Sequence, residues 1–296
     1  MTFSVVARDE RTGRLGIAVA SHFLGVGRLA PWARPGVGAV ATQAFVDPAY
    51  GPRGLDLLAE GYSAQSALDR LLAADPDQGQ RQVALVDAAG AVAVHTGRHC
   101  YAEAEHRIGP GVVAQGNMLG APGIPHSMVQ AFLDARGDFA ARLLAALRTG
   151  ERAGGDARGR QSASLYIVAA HRADPAVAGV EVDLRVDDHD DPLAELGRLL
   201  DLHRAYADIG VIFAPGVVSG DRVPEDGDVA AALAALSRAA GLLPGHAEPL
   251  MWSAIVLARA GRLAEAAEAR ASALVVNPDL GGFFDRLREQ GVVTTA

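Results

Sequence analysis

A threonine at position 2, directly ahead of an apolar run, carries a hydroxyl nucleophile and, once Met1 is removed, an amine on the same residue. That amine, with an ordinary pKa of about 7.7–8.0, can act as a general base near neutral pH. One residue then does what a serine and a histidine do together in a triad. The run Thr2-Phe3-Ser4-Val5-Val6-Ala7-Arg8-Asp9 opens a strand at once, so Met1 removal is expected to expose the nucleophile with no arm, signal or linker ahead of the fold. Many chains begin Met-Thr, so the reading depends on what surrounds Thr2.

Three groups of polar residues stand where strands end. Ser21, His22 and Gln43 follow apolar runs and can gather around Thr2 to orient its hydroxyl and amine, although strand ends are polar for solvation alone. In Gln115-Gly116-Asn117, the Asn117 amide and a backbone N–H beside Gly116 make an oxyanion hole, or else a plain turn. Loss of one such donor typically costs about 10²–10³ in rate. In the segment from Gly154-Gly155-Asp156 through Arg158 to Gln161-Ser162, a bidentate Asp156–Arg158 pair would hold the loop while Gln161 and Ser162 face the site.

Other chemistry is poorly served. His95, His99, Cys100 and His106, with Asp187-Asp188-His189-Asp190-Asp191, offer ligand types at no standard zinc spacing, so neither a metal nor a cofactor is expected. Cys100 beside His99 is a rival nucleophile, against the plainer reading of a buried, inert thiol. The chain contains no lysine. Thr2 must therefore rely on its own amine as base, with Arg34 or His22 giving electrostatic help at most, because arginine does not take up a proton. Gly36-Val37-Gly38-Ala39-Val40-Ala41 fits a dinucleotide fingerprint, but it leads into a strand rather than a helix and is rejected.

The elements that must position these residues follow from hydrophobic period. Strands are expected over 2–9, 15–21, 36–43, 81–87, 91–96, 112–115, 162–169 and 180–186, and helices over 51–60, 63–74, 127–136 and 139–147. Strand blocks separated by helix pairs suit two stacked sheets with helices outside.

The stretches 2–9, 36–43, Tyr50-Gly51-Pro52-Arg53-Gly54, Arg81-Gln82-Val83, Gln115-Gly116-Asn117 and 154–163 resemble the Ntn-hydrolase-like family known as domain of unknown function 1028, over roughly the first 190 residues. The resemblance implies an α/β (α+β) fold, a four-layer αββα sandwich of the Ntn-hydrolase type, and an amide-bond hydrolase. It implies no substrate beyond a small-molecule or peptide-like amide.

The rest of the chain, 191–296, is expected to be a small all-α region. A helix runs from Asp191-Pro192 to about Tyr206, and by the resemblance it opens a peptidoglycan-binding-like module. After a Gly/Pro-rich linker over 214–227, Gly227, Ala232, Ala239 and Pro244 recur as Gly261, Ala266, Ala273 and Pro278, the 34-residue tetratricopeptide period over 227–278. Such helices would pack on the Asp191–Tyr206 helix or on a second copy of the chain, or contact a protein partner.

At 296 residues and a formal charge of −8, the chain lacks the basic face of a nucleic-acid binder. It also lacks the roughly 18-residue apolar run of a membrane helix. With one cysteine it reads as cytoplasmic. The expected function is N-terminal-nucleophile amide hydrolysis. The competing expectation is a non-catalytic binding or scaffolding protein, which the missing lysine and the helical repeat also fit.

Overall fold

The computed structural model describes residues 2–101, 103–219 and 223–291. The chain divides into two compact units, 1–198 and 199–296.

The first unit is mixed α/β, built on two antiparallel sheets. The larger joins β1 (Thr2–Arg8), β2 (Leu15–Ser21), β7 (Glu105–Gly109), β8 (Val112–Asn117), β9 (Ser162–Val168) and β10 (Val180–Val186) in the order β10-β9-β2-β1-β8-β7. The smaller runs β3-β4-β5-β6, from Pro31–Arg34, Gly38–Ala44, Arg81–Asp87 and Val92–Thr96. Helices α1 (Tyr50–Ala59) and α2 (Ala64–Ala73) pack on the smaller sheet. On the larger sheet lie α3 (Ile124–Asp134) and α4 (Phe139–Arg152), and the two sheets face one another through β1, β2, β8, β4 and β5.

Strand alternation decides what each face holds. On β1, Phe3 points towards α4, whereas Val6 meets Ile17, Ala39, Ala41, Ala84, Val86 and Val113 in the space between the sheets. On the other side of the smaller sheet, Val40, Val83 and Leu85 pack with Leu55, Leu58, Leu68 and Leu71 of α1 and α2. Two of these helices start at side-chain caps: Ser63 accepts from Ser66 N and Asp138 from Ala141 N.

Two strands went unforeseen. β3 (Pro-Trp-Ala-Arg) and β7 (Glu-His-Arg-Ile-Gly) are sheet edges, half-buried to exposed, so neither shows the apolar run of its buried neighbours. The rejected dinucleotide motif is a turn at Gly36 (φ 64°) leading into β4.

The second unit holds the continuation of α5 (Pro192–Gly210), then α6 (Asp226–Leu242), α7 (Glu248–Arg259), α8 (Leu263–Val276) and α9 (Leu280–Glu289). One apolar cluster joins Ala205, Ile209, Val229, Leu236 and Val256, and another joins Met251, Ile255, Ala273 and Phe284. Of the repeated positions, Ala232, Ala239, Ala266 and Ala273 are all buried. Gly227 and Gly261 differ: the first lies inside α6, and the second makes the turn before α8 with φ 72°. The linker expected over 214–227 is described except for 220–222, which lie outside the described residues, and its last two residues already belong to α6.

The turn between β1 and β2 is pinned by charge. Asp9 is buried, accepts from Thr12 Oγ1 at 2.6 Å, and meets Arg142 of α4 at 3.1 Å. The Arg142 guanidinium also lies over the Phe132 ring, 4.3 Å from its centre. Removing one partner of a buried pair strands the other charge. Arg142→Ala is therefore expected to lower unfolding free energy by about 3 kcal/mol in urea titration.

Candidate functional site

The inward-facing column of each central strand changes from apolar to polar at one end of the space between the sheets. β1 runs Val6, Ser4, Thr2; β8 runs Val113, Gln115, Asn117; β4 runs Ala39, Ala41, Gln43; and β5 runs Val86, Ala84, Gln82. Antiparallel register stacks these ends. Thr2 pairs with Asn117 and Ser4 with Gln115, while Gln43 pairs with Gln82 on the other sheet.

The side chains close into one network across the two sheets. Gln43 Nε2 donates to the Thr2 carbonyl at 3.0 Å and to Gln82 Oε1 at 2.8 Å, and Gln43 Oε1 accepts from Ser4 Oγ at 2.8 Å. Gln82 Oε1 also accepts from Asn117 Nδ2 at 3.0 Å. Gln82 Nε2 reaches the Gly116 carbonyl at 2.8 Å and Thr96 Oγ1 at 3.0 Å, and that hydroxyl meets His106 Nδ1 at 2.9 Å. Burial lowers the His106 pKa, with the charge of His95 adding to the effect, which favours its neutral form. Gln43 and Gln82 are 2% and 0% exposed, so every missing partner here would leave a desolvated polar group.

Thr2, 8% exposed, places Oγ1 3.1 Å from Ser21 Oγ. Beside it opens a cavity of about 80 Å³ lined by Thr2, Phe23, Val26, Leu29, Ala30, Thr42, Gln43, Ala44 and Val46. Met1, whose removal the Thr2 reading requires, lies outside the described residues. Ala44 and Met118, the residues ending β4 and following β8, both take left-handed backbone (φ 70° and 50°). For non-glycine residues that conformation costs of order 1–3 kcal/mol and clusters at functional sites.

The loop over 154–160 holds the ends of the strands on either side of β1. Asp156 accepts from His22 N at 2.7 Å and Arg158 N at 2.9 Å, with the Arg158 guanidinium at 3.3 Å. Its backbone bridges to Leu119, just past Asn117. Gly120 passes so close to Gly154 that a Cβ there would strike the Gly154 carbonyl.

Thus Thr2, Ser21, Gln43 and Asn117 come together, with Asp156 and Arg158 behind them. Other residues take different posts. The His22 ring lies against the Arg160 carbonyl at 3.2 Å. Gln161 donates to Asp188 and does not line the cavity. Ser162 donates to the Phe23 carbonyl at 2.5 Å and accepts from Val26 N at 3.2 Å, which shapes the turn over Thr2. Arg34 offers Thr2 nothing: β3 runs antiparallel to β4, so Arg34 sits opposite Gly38, at the far end from Gln43, and pairs with Asp56 at 2.7 Å.

Among the described residues no group of three or more His, Cys, Asp and Glu is placed to hold a metal ion. His95 contacts the Gln78 carbonyl, and Cys100 Sγ donates to the Arg81 carbonyl at 3.4 Å. Burial raises the Cys100 pKa, the opposite of an activated thiol. Also among the described residues, no helix is long and apolar enough to cross a membrane.

The family of unknown function DUF1028 matches residues 2–196, and the chain belongs to that family. A crystal structure of protein SPO2555 from Silicibacter pomeroyi, of the same family, is similar, with 31% identity and a TM-score of 0.64. The likeness covers 70% of this chain and 88% of that one. No curated protein matches the chain.

Gln82, the hub of the network, escaped the sequence reading of the site. The available signal was one glutamine on the inward parity of an otherwise Val/Ala/Leu strand. Gln82→Leu keeps the volume but leaves the Gln43 and Asn117 amides short of an acceptor. It is expected to cost about 2–6 kcal/mol in chemical denaturation, at roughly 1–3 kcal/mol for each of the two stranded groups.

Proposed function

We propose that this chain is an N-terminal-nucleophile amide hydrolase, its first unit a four-layer αββα sandwich of that type, with Thr2 as nucleophile. The observation that carries the reading is Thr2 itself: it opens a central strand, its carbonyl is gripped by Gln43, and its hydroxyl faces Ser21 beside a cavity. Removal of Met1 frees the amine. Thr2 Oγ attacks an amide carbonyl and passes its proton to that amine, which hands it to the departing nitrogen as the C–N bond breaks. Ser21 Oγ orients the nucleophile. Asn117 has a second amide hydrogen beyond the one bound to Gln82, and with a backbone N–H it holds the oxyanion. Water then cleaves the Thr2 ester.

Gln43 positions rather than reacts, and Asp156 with Arg158 and Ser162 supports the loops around the site. His22 and Gln161 take no part in this scheme: the His22 ring lies against the Arg160 carbonyl and Gln161 donates to Asp188. No cofactor enters this scheme. The α6–α8 helices, read as tetratricopeptide-like over 227–278, and α5, read as the start of a peptidoglycan-binding-like module, supply contacts to a protein partner or a second copy. A cytoplasmic setting accompanies this reading, since the single cysteine asks for no oxidising compartment.

The test is to treat protein expressed with its native start with a broad serine/threonine acylating probe and to weigh the N-terminal peptide. The expected peptide begins at Thr2 and carries one adduct, absent from Thr2→Ala and unchanged in Cys100→Ala. Labelling should speed up with pH through about 7.7–8.0 as the amine loses its proton, then level off. A peptide that still carries Met1 would overturn the mechanism and favour the binding or scaffolding reading.

A further inference from the structure

Two features of the cavity beside Thr2 bear on what it accepts. Its walls are Phe23, Val26, Leu29, Ala30, Ala44 and Val46, and among the described residues no charged side chain lines it. Its polar lining is already engaged, Thr2 Oγ1 with Ser21 Oγ among it. Thr42 Oγ1 donates to the Asp47 carbonyl at 3.3 Å, and the Gln43 amide holds Ser4, Gln82 and the Thr2 carbonyl. An ammonium placed there would lose water and meet no carboxylate among the lining residues, a cost of several kcal/mol.

The second feature is size. At about 80 Å³ the space is half that of an apolar cavity which takes up benzene, roughly 150 Å³, and so has room for three or four carbons. The walls are also fixed. Val26 and Ala30 are buried against Val19, and the turn that carries Phe23 is tied at both ends by Ser162. Of these walls, Phe23 is 52% exposed.

We infer that the acyl part of the substrate is a small, uncharged aliphatic group of three or four carbons, held in this cavity with its carbonyl at Thr2. Acyl groups that carry an α-amino acid head, such as γ-glutamyl or β-aspartyl, are excluded by the uncharged walls. Long acyl chains exceed its volume of about 80 Å³. The inference rests on Thr2 as nucleophile for its chemical meaning, but the pocket itself is testable without turnover.

The experiment has two arms on the full chain. In the first, the Thr2→Ala protein is titrated with isobutyramide, octanamide and L-glutamine while the methyl resonances of Val26, Leu29, Ala30 and Val46 are followed. Isobutyramide is expected to move these methyls and to bind at least tenfold tighter than the other two. Ala30→Val and the more exposed Val46→Leu, each narrowing the cavity, should shift preference from isobutyramide to acetamide by at least fivefold. Glutamine or octanamide binding as well as isobutyramide, or isobutyramide leaving these methyls unmoved, would overturn the inference.

In the second arm, protein bearing Thr2 is given p-nitrophenyl isobutyrate or γ-glutamyl p-nitroanilide, and the N-terminal peptide is weighed. An isobutyryl adduct with no γ-glutamyl adduct supports the inference. A γ-glutamyl adduct equal to the isobutyryl one would sink it while leaving Thr2 the nucleophile. Binding in the first arm without any adduct in the second would support the pocket and sink the nucleophile reading.

Discussion

At Gln43 the two sheets are joined by hydrogen bonds rather than by apolar contact, as they are at its neighbours Gln82 and Gln115. The Gln43 amide reaches across to the Thr2 carbonyl and Ser4 on one sheet and to Gln82 on its own, and Gln82 returns across the gap to Asn117 and Gly116. A buried polar network of this kind is rigid when every member is satisfied and costly when one is not. Everything at the Thr2 end of the molecule follows from that constraint. The strand register must stack four polar ends, and a slip of one residue would turn all of them to the opposite face.

The surroundings bear the cost of this arrangement. Ala44 and Met118 leave their strands in left-handed backbone, and the Asp156 loop fastens the neighbours of β1 with a buried carboxylate on backbone amides and Arg158. At the other end of the space the core is ordinary: Val6, Ile17, Ala84 and Val113 pack without polar atoms. Packing at one end thus supplies stability, while polar order at the other supplies position. That division is what a site built on rigid strands requires.

Much of this was legible in the sequence because the central strands are short, apolar and bounded by polar residues. Thr2, Ser21, Gln43 and Asn117 each close such a run, so their gathering needed only that the strands be neighbours. Gln82 was hidden because it follows Arg81 at a strand start and reads as part of a wet boundary; only its parity with Ala84 and Val86 marks it as inward. β3 and β7 were missed as edge strands that carry Pro, Arg, Glu and His. Arg34 was misjudged for the same reason: without β3, its direction and its distance from Gln43 were not visible. Among the helices, the 34-residue spacing correctly marked alanines that pack, but it could not tell a glycine inside α6 from one at a turn.

The most direct test of the account is side-chain amide exchange by solution NMR. The surface amides of Gln65 and Gln130, each beside an aspartate on its own helix, serve as internal references. If the two sheets are joined as described, the amide protons of Gln43, Gln82 and Asn117 will exchange orders of magnitude more slowly than those references. Exchange at the rate of Gln65 and Gln130 would contradict the network, and with it the positioning of Thr2.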